Sequence, residues 1–220
     1  MTTLISLDDA EVQRKIAQLR PVNGYLLMAD LVGSTKLKQR KGFKDWAADF
    51  LFPFKTLQAN ISQKAMKVVG DMAMYWFPDS ANPDPEEIMM GLRKVQMESS
   101  GVFKMAFVRC QNVYEVSFHE RVPEDVYGSD IDLTARLLTA RLGTSAKKQG
   151  EIRMNVTCRE EIAKRLKGID FLHEITGPRQ KTLKGFPERI GYFLWRVPSR
   201  TVRRRGVLLR NLNQDRSVHR

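Results

Sequence analysis

Two aspartates are the residues of this chain whose setting best suits chemistry. Asp30 ends the apolar run Gly24-Tyr25-Leu26-Leu27-Met28-Ala29, which reads as a buried strand. The strand is expected to run from Gly24 to Leu31, and Gly33-Ser34-Thr35 follows as a turn and a helix start, with Ser34 or Thr35 available as a cap. Asp71 follows Gly70 between two β-like runs, Ala65 to Val69 and Met72 to Phe77, at the tip of an expected hairpin. A carboxylate flanked by apolar sequence lies beside a core, yet near a strand end that a ligand can reach. Side by side, two such groups would bind Mg²⁺, which takes hard oxygen ligands and shares them with substrate phosphates. Two ions about 3.5–4 Å apart would activate a hydroxyl and hold a triphosphate through an in-line displacement. Taken singly, each aspartate reads more simply as a turn or cap residue.

The elements that must position these groups follow from periodicity. Residues 1–20 read as an amphipathic helix with Val12, Ile16 and Leu19 on one face. Phe43, Trp46, Ala47, Phe50, Leu51, Phe54 and Leu57 recur at helical spacing up to about Ile61, and Pro53 is expected to kink or interrupt that helix. Asn82-Pro83-Asp84-Pro85 opens a helix that runs to about Ser100. Val102 to Val108 and Val113 to Phe118 read as two strands, and Asp130 to Lys147 as a helix. Glu151 to Val156 reads as a strand, then Thr157 to Leu166 as a helix capped by Thr157, with Glu160 three residues on. Phe171 to Thr176 and Ile190 to Val197 close the list as strands. The β-α-β-β-α-β order is the ferredoxin-like one. It predicts an α+β sandwich with a mostly antiparallel sheet and helices on one face.

Composition narrows the possibilities. With 220 residues, 42% hydrophobic and 28% charged, the chain can build one sizeable core and is not of disordered composition. Its apolar runs are too short to cross a bilayer. The start, MTTLISLDDAEVQRK, lacks a signal pattern, so the expectation is a cytoplasmic protein with no membrane partner. Cys110 and Cys158 have no metal-ligand spacing and read as buried small hydrophobes. The formal charge is +12, and from Arg196 onward eight arginines stand against Asp215 alone. The organisation read from this is a helical segment (1–20), a catalytic domain (21–197) and an Arg-rich tail (198–220). Such a tail suits nucleic acid or acidic lipid. A solvated arm or a dimer-docking segment explains it equally well, so a nucleic-acid partner is not expected.

Four motifs carry a resemblance. Met28-Ala29-Asp30-Leu31-Val32-Gly33-Ser34-Thr35 resembles the first-strand metal motif of class III adenylate and guanylate cyclases. Lys67-Val68-Val69-Gly70-Asp71 resembles their second motif. Asp125-Val126-Tyr127-Gly128-Ser129-Asp130-Ile131-Asp132-Leu133-Thr134-Ala135-Arg136 resembles the third, and Leu183-Lys184-Gly185-Phe186-Pro187 resembles the closing lysine loop. They come in family order across roughly residues 24–197. The resemblance implies a class III cyclase homology domain that converts a nucleoside triphosphate to a 3′,5′-cyclic monophosphate with two Mg²⁺ or Mn²⁺ ions. It implies that Asp30 and Asp71 ligate the metals with the Leu31 carbonyl, and that the amides of Val32, Gly33, Ser34 and Thr35 cradle phosphates. By the same resemblance Lys67 and Asp125 read the base, Arg136 stabilises the transferring phosphoryl group, and Lys184 holds the terminal phosphates. Lys104 is a further phosphate candidate. One copy of each motif implies a homodimer with shared sites.

Asp132 departs from this pattern. Purine cyclases usually carry Asn there, and an ionised aspartate only accepts hydrogen bonds. The short Asp-Leu-Val-Gly-Ser-Thr form, the Trp/Phe-rich helix and the Gly-Ser-Asp-Ile-Asp stretch are similar to the pyrimidine cyclases of bacterial Pycsar anti-phage systems. That branch implies UTP, then CTP, as substrate, and a product acting on a separate effector. Lys67 and Asp125 suit adenine, cytosine or uracil and argue against guanine. Phe50 is the candidate to fill the space of a purine's second ring, although at helical spacing it reads first as core. An ordinary adenylate cyclase and an inactive nucleotide-binding regulator remain the alternatives.

Overall fold

A computed structural model describes residues 10–40, 42–99, 102–116, 125–140, 149–165 and 170–198. At its centre is β1 (Val22–Leu31), whose residues 24–29 are all buried because both faces of the strand are covered. β2 (Lys67–Val69) and β3 (Met72–Pro78) form the expected hairpin. β4 (Phe103–Val116), β6 (Gln149–Asn155), β7 (Ile175–Thr182) and β8 (Arg189–Pro198) complete a sheet of order β2-β3-β1-β4-β6-β8-β7, with β5 (Asp125–Tyr127) paired to the far end of β4. Every pairing is antiparallel except β4 with β6. The order β2-β3-β1-β4 is the ferredoxin-like arrangement the element order predicted.

The helices are α1 (Ala10–Gln18), α2 (Ser34–Arg40), α3 (Phe43–Ile61), α4 (Pro85–Glu98), α5 (Ser129–Thr139) and α6 (Val156–Arg165). They lie on both faces of the sheet, not on one. Alternation along β1 sends Tyr25, Leu27, Ala29 and Leu31 into one core with Phe54, Leu57, Met89, Leu92 and Ile162 from α3, α4 and α6. It sends Leu26 and Met28 into a second core with Leu133, Leu137 and Leu138 of α5. Among the described residues no helix is long and apolar enough to cross a membrane.

Several boundaries differ from the sequence reading. α3 runs unbroken through Pro53. Its buried face of Phe50, Phe54, Leu57 and Ile61 is worth roughly 1.5–3 kcal/mol per side chain, which outweighs the ~3 kcal/mol of an interior proline. The two strands expected at Val102 to Val108 and Val113 to Phe118 are one strand, β4. Asn112 (φ 54°) marks a bulge where the register slips from Gly24↔Cys110 to Val22↔Val113, so a turn-like Gln-Asn pair does not end the strand. Phe118 lies outside the described residues. α5 stops at Thr139, and 141–148 also lie outside them. α6 starts earlier than expected, and its cap is Asn155, whose Oδ1 accepts from the Cys158 amide at 3.0 Å. Thr157 is therefore inside the helix. Residues Asp170–Glu174 form a 3₁₀ turn instead of a strand, held by Trp195 Nε1 and Arg93 Nη2 donating to the Glu174 carboxylate at 2.8 and 3.0 Å. In α1, Ile16 of the expected apolar stripe is exposed, and residues 1–9 lie outside the described chain.

Candidate active site

The end of β1 and the β2–β3 turn build one corner. Asp30 pairs in register with Met72 of β3 and Lys104 of β4. Gly70 takes φ +63°, the left-handed conformation glycine adopts without strain, and turns the chain so that Asp71 meets β1. The Leu31 amide donates to the Asp71 carbonyl at 3.3 Å, and the Val32 amide to the Val102 carbonyl at 2.9 Å. Ser34, only 3% exposed, donates its hydroxyl to Asp71 Oδ2. Val32, Gly33 and Thr35 are exposed around it, with Gly33 at φ +82°. Asp30, Leu31, the 32–35 turn and Asp71 are thus gathered from positions some 40 residues apart in sequence.

Electrostatics mark this corner. Burial pushes the Asp30 carboxyl above the ordinary carboxylate range, and the Asp71 charge pushes it further, while Lys104 and Lys38 pull it back. A divalent cation would relieve that crowding, and two carboxylates with the Leu31 carbonyl are hard oxygen donors. Among the described residues no group of three or more His, Cys, Asp or Glu converges as a metal cage. Two carboxylates and a carbonyl are a donor set that fits Mg²⁺ or Mn²⁺, since such an ion can bind through one or two carboxylates and complete its shell with water and phosphate oxygens. Lys38 was not singled out by sequence. It lies 5.6 and 5.2 Å from the ring centroids of Trp46 and Phe50 and acts on Asp30. Its position four residues after Ser34, on the same side of α2, was the available signal.

Lys104 stands between charges. The register places Asp30, Lys104, Glu151 and Arg196 in a line across β1, β4, β6 and β8. Burial lowers the Lys104 pKa, Arg153 lowers it further, and Asp30 and Glu151 oppose them.

Lys67 and Asp125, 58 residues apart, are brought into direct contact, with Lys67 Nζ donating to Asp125 Oδ2. That hydrogen bond raises the Lys67 pKa against a smaller opposing effect of burial. Asp125 Oδ1 also accepts from the Val126 amide at 3.0 Å. On α5, Asp132 and Arg136 are four residues apart and both exposed, away from buried Leu133 and Leu137. Lys184 is exposed in the turn between β7 and β8, where Gly185 takes φ +91° and Leu183 anchors the loop in the α5-side core.

Phe50 lies in the core, as its helical spacing first suggested, and not beside the base-reading pair. It is 7% exposed in the core on the α3 side, edge-on to Trp46 with ring centroids 5.7 Å apart and 5.2 Å from Phe54. Lys67 pairs in register with Met74, which belongs to the opposite, α5-side core. Alternation along the strands thus separates Phe50 from the Lys67–Asp125 pair by the thickness of the sheet.

No family model and no curated protein matches the sequence. Solved structures do match the fold. An adenylyl cyclase from P. aeruginosa superposes with a TM-score of 0.63 at 16% identity, over 83% of this chain and 97% of that one. An adenylate cyclase from Trypanosoma brucei gives 0.59 at 14%, over 78% and 88%. The guanylate cyclase domain from Catenaria anguillulae, solved in complex with GTP, gives 0.59 at 10%, over 79% and 95%. The chain has the fold of the class III cyclase homology domain. At such identities the shared property is architecture, and the chemistry must be argued from the residues.

Proposed function

We propose that this chain is a nucleotide cyclase that converts a pyrimidine nucleoside triphosphate, UTP ahead of CTP, to a 3′,5′-cyclic monophosphate and pyrophosphate. The observation that carries the reading is the Asp30–Asp71 corner, set at the end of the central strand of a cyclase fold. Asp30, Asp71 and the Leu31 carbonyl would hold two Mg²⁺ or Mn²⁺ ions, which would supply Lewis acidity toward the ribose hydroxyl and the triphosphate. Ser34 orients Asp71 by donating its hydroxyl to Oδ2. The ribose 3′ hydroxyl gives its proton to solvent, its oxygen bonds to the α phosphorus, and the bond from that phosphorus to the departing pyrophosphate breaks. Arg136 meets the charge on the transferring phosphoryl group, Lys184 holds the terminal phosphates, and the amides of residues 32–35 bind phosphate oxygens. Lys104, the register partner of Asp30, acts on its charge from within the sheet.

Lys67 and Asp125 present a donor and an acceptor side by side, which matches adjacent groups on a base edge. Asp132, an acceptor when ionised, would take hydrogen bonds from ribose hydroxyls. Because Asp132 and Arg136 face outward from α5, they would serve the metal corner of a second copy, giving a homodimer with two equivalent sites. The product would act on a separate effector in bacterial anti-phage defence, as the likeness to that branch implies.

A second reading, an adenylate cyclase, is favoured by the same Lys67–Asp125 pair, since adenine N1 and N6 match it as well. A non-turnover nucleotide-binding regulator is favoured by Asp132 alone. The test is incubation of the purified protein with Mn²⁺ or Mg²⁺ and ATP, GTP, CTP or UTP separately, with products read by mass spectrometry. Cyclic UMP or cyclic CMP is the expected product. Cyclic AMP alone would move the protein to the second reading, and triphosphate binding with no pyrophosphate release from any base to the third.

A further inference from the structure

Glu151 and Arg153 reach the site described above only through Lys104. Both lie on β6, whose residues 150–155 are all buried, and they are 5% and 2% exposed. A buried ion pair is rarely a better source of stability than apolar residues of the same volume, so its geometry has to be asked what it fixes. Arg153 Nη2 donates to Glu151 Oε2 at 2.8 Å. Arg153 Nη1 donates to the carbonyls of Leu137, Leu138 and Ala140, the last two at 2.9 and 3.0 Å. These are the terminal carbonyls of α5, which a helix end leaves without intrahelical partners. A cation there also opposes the negative pole of the helix. The planar guanidinium sets Nη1, whose two hydrogens the three carbonyls share, on the helix end and Nη2 on Glu151 in one rigid group, which a lysine ammonium, a single point donor, cannot do.

The clamped turn is the one that carries Arg136, whose carbonyl accepts from the Ala140 amide at 2.9 Å. On the other side, Glu151 is the register partner of Lys104, and Lys104 that of Asp30. Charges of alternating sign therefore run from Asp30 through Lys104, Glu151 and Arg153 to the C-terminal end of α5.

We propose that Arg153, held by Glu151, is a positioning residue that fixes the last turn of α5 on the sheet and thereby sets where Arg136 stands. The proposal rests on the reading of Arg136 as the phosphoryl contact. A group that acts only in the transition state loses rate, not substrate affinity, when it is displaced, and misplacement by about 1 Å costs on the order of 10²-fold.

The test uses the full chain. Arg153→Met removes the fork at similar volume. It takes the Arg153 guanidinium from buried Glu151, whose Oε1 keeps Arg196 Nε at 3.7 Å, so E151Q/R153M is made beside it and takes its place if the single variant does not fold. Hydrogen exchange read by mass spectrometry should be accelerated at least about tenfold in residues 133–140, with residues 22–31 unchanged. Unchanged exchange in 133–140, or equal acceleration in both segments, would overturn the clamp. In turnover, kcat should fall about 100-fold with KM within about threefold. On an Arg136→Ala background the same substitution should cost less than about twofold, because nothing remains to be positioned. A full additive loss on that background would overturn the positioning role even where exchange changes. If the wild-type chain turns over none of the four triphosphates, the cyclase reading fails by itself, and the exchange measurement still decides the clamp.

Discussion

Asp30 and Asp71 are held against buried backbone, whereas Lys67, Asp132, Arg136 and Lys184 project from exposed positions. The first pair is fixed by strand register, by the Leu31–Asp71 backbone contact and by the buried Ser34 hydroxyl. The second group depends on what meets it, and within one chain only Lys67 has found a charged partner, Asp125, among the contacts the described residues show for that group. The difference fits a site completed by association. On the proposed reading, the corner that would hold metal is preorganised in the subunit, and the groups that would read base and phosphate face outward. Preorganised groups should give large, all-or-none effects when removed, and outward groups graded ones.

The largest effect should come from the corner itself. Asp71→Ala or Asp30→Ala should lower turnover by about 10³-fold or more, since several kcal/mol of charge stabilisation depends on that donor set. Circular dichroism should show the fold retained, and a variant with full activity would break the metal assignment. Arg136→Ala should follow, with kcat reduced by about 10²–10³-fold and triphosphate binding by calorimetry little changed. A purely binding role would raise KM instead.

Phe50→Ala tests the comparison from the core. It should cost about 3–4 kcal/mol in denaturant unfolding and leave the base preference where it was. A changed preference with little loss of stability would put Phe50 back beside the base. Lys67→Ala should raise KM by about 10- to 100-fold through loss of a charged hydrogen bond to the base. Its effect on stability should stay under about 1 kcal/mol, because Lys67 is half exposed and the ion pair is solvent-screened.

The smallest effect concerns pH. A carboxyl whose folded pKa lies above its ordinary value binds protons more tightly in the native state than in the unfolded one. Its ionisation then costs stability, a cost absent below the ordinary value of 3.8 and fully present above the raised folded pKa. Asp30→Asn should therefore raise the Tm of the metal-free protein at neutral pH, with the advantage fading as the pH is lowered through that window. A Tm gain that is the same at every pH would show that burial and Asp71 do not act on Asp30 as described.

Much of the fold was legible in the sequence because its signals are local. The apolar run before Asp30, the Gly70 turn and the Asp84-Pro85 helix start each declare themselves over a few residues, and the structure has all three. The errors arose where a local breaker was outvoted. Pro53 was overridden by the buried face of α3, and Gln111-Asn112 by pairing with β1 on one side and β5 on the other. Glu151 and Arg153 were invisible as a pair, since charges in a strand read as solvated until the opposite face is known to be covered by α5.

The sequence by itself determined which residue types stand at strand ends and turns, and so where oxygen donors and phosphate-binding cations are available. Side-chain alternation and turn chemistry act over a few residues, and a linear reading captures them. Only the tertiary structure decided which of those residues share a face: that Lys67 meets Asp125, that Phe50 lies behind the sheet, and that Arg153 holds α5. Strand order and register set those relations, and both are fixed by the burial of two opposed cores at once, a requirement that no single segment of the chain contains.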